Sequence, residues 1–93
     1  MANPNFYLDL MSGDPERVAE IIRDAQAGNI DAMYTLGVLY CEGRGLPVDY
    51  EKSLEWLKKA RDLGDRDADS MIRAVSYQLY LKESEERLQG KDT

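Results

Sequence analysis

Ninety-three residues, 43% of them apolar, with 12 basic and 18 acidic side chains and a formal net charge of −6, describe one small acidic globular domain. The acidic excess argues against nucleic acid and against an anionic membrane surface, which both demand a basic patch, and favours a partner with a basic face. A lone cysteine, Cys41, excludes an internal disulfide framework, and no apolar run approaches the length of a membrane span.

Residues 1–11 lack a basic stretch followed by a long apolar run, so no secretory signal is read there and the cytoplasm is the expected location. Asn3–Pro4 predicts a short helix over 4–11, with Phe6, Tyr7, Leu10 and Met11 as its apolar side. Asp14-Pro15-Glu16 is a stronger start signal: a cap, a preset backbone angle, and a charge that complements the helix dipole. The helix begun there places Val18, Ile21, Ile22 and Ala25 on one face and ends at Gly28.

Asn29 caps the next helix, which carries Ala32, Met33, Leu36, Leu39 and Tyr40 and stops near Gly43. Two glycines and a proline then make residues 43–48 a loop. Asp49 caps a third helix, with Leu54, Trp56, Leu57 and Ala60 as its buried side, and Gly64 closes it. Trp56 offers the largest apolar area, so its truncation is expected to cost about 3–5 kcal/mol. Asp65 opens the last helix, with Ala68, Met71, Ile72, Val75 and Leu79 on one stripe and Tyr77, Tyr80, Leu81 and Leu88 on a second. No segment alternates as a strand does.

A weak internal repeat runs through these elements. Thirty-six residues separate Gly28 from Gly64, Ala32 from Ala68, Leu36 from Ile72 and Val18 from Leu54. A period of that length in helix pairs predicts a helical solenoid. The central unit reads Ala32-x-x-x-Leu36-Gly37-x-x-Tyr40-x-x-Gly43-x-Gly45, then Asp49, Ser53-x-x-Trp56-x-x-Lys59-Ala60 and Gly64-x-x-x-Ala68. This pattern resembles the Sel1-like repeat, a relative of the tetratricopeptide repeat. Ser53 and Arg61 depart from the alanines common in that family, and Arg73 stands where the period would repeat Gly37.

The resemblance implies an all-α fold: a short right-handed α-solenoid of antiparallel helix pairs, four to five helices in one domain over 1–93. N-terminal helices over 4–28 form a partial repeat, residues 29–64 a complete one, and 65–89 a capping helix, with 90–93 as a frayed tail. It also implies a protein–protein interaction module, an adaptor or scaffold, that binds on its concave face. A small acidic inhibitor or immunity-type protein, and a secretion-type chaperone, are the alternatives.

Helical spacing beside the inward stripe nominates Asp31, Tyr34, Val38, Cys41 and Glu42, with Ala74, Tyr77, Gln78 and Leu81 on the last helix, as partner-binding residues. The apolar second stripe also suggests self-association as a homodimer. Catalysis is not expected. The chain has no histidine to activate Cys41, no metal-ligand set and no phosphate loop, so no cofactor is implied either.

Overall fold

The structure, a computed structural model, describes residues 14–91, with side chains to residue 88. The helix expected over 4–11 lies outside the described residues. Four helices succeed one another: α1 (Pro15–Gln26), α2 (Ile30–Glu42), α3 (Tyr50–Asp62) and α4 (Ala68–Lys91). The last helix continues two residues beyond its expected end at residue 89.

The starts are set by the capping residues read from the sequence. Side-chain oxygens of Asp14, Asn29 and Asp49 accept from the backbone amides of Glu16, Ala32 and Lys52, each at 3.0 Å. Asp65 does the same for α4, accepting from the amides of Asp67 at 2.8 Å and Ala68 at 3.2 Å. The α1–α2 and α3–α4 turns are built alike. The amide of Asn29 donates to the Asp24 carbonyl and that of Asp65 to the Ala60 carbonyl, both at 2.9 Å. The thirty-six-residue period is thus a repeat of backbone geometry as well as of side chains.

Adjacent helices are antiparallel. Tyr40 lies near Asp49 and Lys52, while Gly37 lies against Ser53 and Leu57, so α3 runs back along α2. Arg61 faces Asp69 at the top of the next pair, and the Lys82 ammonium sits 5.9 Å from the Tyr50 ring at its bottom. Contacts join α1 to α2, α2 to α3 and α3 to α4, with a lighter contact between α2 and α4; α1 and α4 do not meet. That nearest-neighbour order is a helical solenoid.

The core has two centres. One joins Val18, Ile21 and Ala25 of α1 to Ala32, Met33, Leu36 and Leu39 of α2, with Ala60 and Ala68. The other is Leu57, Ile72 and Val75, flanked by Tyr34, Cys41, Tyr50, Leu54 and Met71. Leu36, Leu39 and Leu57 are the largest fully buried side chains. Trp56 is not among them. It leans half-buried on the first centre, with the Lys59 ammonium 4.7 Å from its ring. Truncating it opens space to solvent rather than a sealed cavity, so its cost falls below the sequence-based expectation. The neighbouring Leu57 takes the central place instead.

Ser53, at a position usually held by alanine in the resembled family, is fully buried and donates its hydroxyl to the Gly37 carbonyl at 2.6 Å. That carbonyl keeps its helical acceptor role in any case. Ser53→Ala should therefore shift the denaturant midpoint by no more than about 1 kcal/mol of stability. A larger loss would mean that the hydroxyl fixes the α2–α3 spacing.

Candidate partner-binding face

The residues nominated on α2 and α4 occupy matching places one period apart: Val38 with Ala74, Cys41 with Tyr77, and Glu42 with Gln78. Their environments differ because the two helices have different successors in the stack. After α2 come α3 and α4, which cover it. Beyond α4 there is no further described helix.

On α2 the nominated stripe is therefore largely a joint. Val38 is 4% exposed and belongs to the core, which removes it from the candidate face. Tyr34 and Cys41 are half-buried against Leu57, Ile72 and Val75. Asp31 and Glu42 are exposed, and Glu42 holds Arg44 at 2.7 Å. The helix is apolar on most of its sides, as a middle helix contacted by several neighbours is, and a single inward stripe does not describe it.

On α4 the nominated residues Ala74, Tyr77, Gln78 and Leu81 are all exposed. With Tyr80 they form a face directly opposite the buried stripe of Ala68, Ile72 and Val75. Tyr77 is 60% exposed, Tyr80 59% and Leu88 63%. A terminal cap presents a polar outer face to water. The outer residues of α1 fit that description, with Glu16, Arg17, Glu20, Arg23 and Asp24 exposed. The outer face of α4 is more apolar than that.

A shallow groove of about 610 Å³ lies where the two matching turns meet, lined by residues 28–31 and 63–67. Asp31, Asp65 and Asp67 make its rim acidic, although Asn29 and Asp65 are occupied with capping. Among the described residues, no group of three or more cysteine or carboxylate side chains is placed to hold a metal ion. None of the described helices is long and apolar enough to cross a membrane.

Two groups at the α2–α4 joint carry shifted acidities. Burial raises the Tyr34 phenol above its ordinary value of 10.0, with further contributions from Asp67, Asp65 and Cys41. Burial and the Glu42 carboxylate raise the Cys41 thiol above 9.0. Both folded values exceed the unfolded ones, so the neutral forms support folding. Their contribution is complete below about pH 9 and declines as pH rises through the folded values. Tyr34→Phe should flatten the alkaline stability loss above about pH 10, read by thermal melts across pH. An unchanged slope would place that loss elsewhere.

The family model described as Sel1 repeat matches residues 30–65, which span α2, the loop and α3. An Arabidopsis thaliana protein described as ERAD-associated E3 ubiquitin-protein ligase component HRD3A is 50% identical over 42 residues. That match covers 44% of this chain and 6% of the relative, so the chain spans only a small part of that protein's length. No solved structure matches. The spacing of small, large and turn residues, the matched turn geometry and the stacked helix pairs agree with that match, and residues 30–65 form a Sel1-like repeat.

Proposed function

We propose that the chain is a non-catalytic adaptor or scaffold that holds a segment of a partner protein against the outward face of α4. The observation that carries this reading is the exposed apolar surface of Tyr77, Tyr80, Leu81 and Leu88 on the last described helix. Ala74 and Gln78 lie beside it on the same helix, whereas Tyr34 and Cys41 of α2 pack on the buried side of α4, and Asp31 and Glu42 are exposed on α2. Tyrosines in a water-accessible apolar patch supply large contact area together with a polar hydroxyl, which suits protein recognition. The acidic rim favours basic residues at the partner's edge, and the cytoplasm is the proposed setting. The relative's description as a component of a ligase is consistent with a part that works inside an assembly.

Affinity capture from native lysate, at low and moderate salt, tests this reading. The wild-type chain should retain one stoichiometric protein that the double variant Tyr77→Asp/Tyr80→Asp loses while its helicity stays unchanged. Equal retention by both chains would remove the α4 face from the binding site.

A further inference from the structure

The helix α4 is 24 residues long, whereas α3, on which it lies, has 13. Lys82 is already level with Tyr50, the first residue of α3, so the remaining residues of α4 run past the end of their support. An isolated helical extension of that length is marginal in water. Its exposed Leu88 continues the same stripe as Ser70, Ala74, Tyr77, Leu81 and Ser84, spaced alternately by four and three residues. That spacing is the seam of a two-helix contact.

We infer that a second copy of this chain covers the face, with the two α4 helices antiparallel and related by a two-fold axis. The inference rests on the proposed function's reading of this face as a protein-binding surface and names its occupant as a second copy of this chain, which leaves no room there for a different protein. One register satisfies the seam: Leu81 meets Ser84 of the second copy, and Tyr77 meets its Leu88. Each overhang then lies on the supported part of the other helix, so both unsupported ends are stabilised by one contact. Large side chains face small ones at the centre, the arrangement that lets layers interdigitate.

The edges agree with this register. Arg87 of one copy comes beside Tyr80 of the other, a cation over an aromatic ring, and Gln78 comes beside Glu85. Arg73 falls beyond the paired segment and keeps Asp69 at 3.9 Å. The seam itself contains no carboxylate, so the net charge of −6 is not concentrated in the contact. Tyr77, Tyr80, Leu81 and Leu88 together expose on the order of 400 Å² per copy. Doubled and extended by the edge residues, the contact reaches the roughly 1,200 Å² at which specific interfaces begin. Such a contact is isologous and closes on itself, which avoids open-ended assembly.

Sedimentation of the full chain over a concentration series tests the proposal. It should show twice the chain mass, and Leu88→Glu should weaken association roughly tenfold or more with helicity retained. Oxidation supplies the register. In a Cys41→Ala background, Tyr77→Cys with Leu88→Cys should give a covalent dimer, and Tyr77→Cys alone should not. A chain mass at every concentration would overturn the proposal while leaving partner capture by the α4 face standing. A monomer that dimerises only after deletion of residues 1–13 would also overturn it, since the chain's own N-terminal segment would then cover the face. So would a dimer insensitive to Leu88→Glu, or one linked by Tyr77→Cys alone.

Discussion

Leu57→Ala is expected to lower stability by about 2–5 kcal/mol, among the largest effects of any single truncation at a described residue. Leu57 is 0% exposed and sits where three helices converge. It touches the place of Gly37 on α2, belongs to α3, and packs with Ile72 and Val75 of α4. Surrounding atoms cannot collapse into the gap without moving α4, because Ile72 and Val75 have no other buried partner of that size. Domains this small hold a stability of only several kcal/mol, so the variant should be largely unfolded or lose its last helix. Circular dichroism with denaturant titration measures both outcomes. Trp56→Ala should be clearly milder in the same assay, and the reverse order would show that the core is centred on the indole instead.

Gly37→Ala is the second large effect, and its sign opposes simple helix propensity. Alanine is worth about 1 kcal/mol over glycine in an ordinary helix interior. Here a β-carbon would lie 2.6 Å from Leu57 Cγ, 2.8 Å from Leu57 Cδ2 and 3.2 Å from the Ser53 carbonyl oxygen. Leu57 is fully buried and cannot swing away, so α2 and α3 must separate. Overpacking of this kind costs about 1–3 kcal/mol, which outweighs the propensity gain. The melting temperature should fall by roughly 4–8 °C per kcal/mol lost. A double-mutant cycle read in a stabilising osmolyte, where Leu57→Ala retains a folded population, isolates the cause: Gly37→Ala should be harmless or stabilising when Leu57 is already alanine. Additive effects of the two substitutions would rule out the contact as the source.

Much of the helix pattern was legible in the sequence because capping is local. Asp14, Asn29, Asp49 and Asp65 each satisfy amides within three residues, so residue type and position alone announce a helix start. Gly43, with φ of 71° at the end of α2, obeys the same logic, since few other residues adopt that angle at low cost. Gly37 could be recognised as a close approach from its place in the repeat pattern. Its partner Leu57 could not be singled out from Trp56, because both lie on apolar positions of one helix and burial depends on what comes across from α4.

The candidate face shows the same division. Spacing alone placed Val38, Cys41 and Glu42 on α2 together with Ala74, Tyr77 and Gln78 on α4, and the period made the two sets equivalent. Only the tertiary structure separates them. Val38 disappears between helices while Ala74 stays open, because α2 is followed by two described helices that cover it and Ala74 has no described helix against it. The sequence by itself determined where helices begin and end, the thirty-six-residue period, and the Sel1-like repeat, all carried by short-range spacing and backbone chemistry. Which apolar stripe is core and which is surface was decided by the stacking order of the helices, because burial is a property of neighbours far apart in the chain.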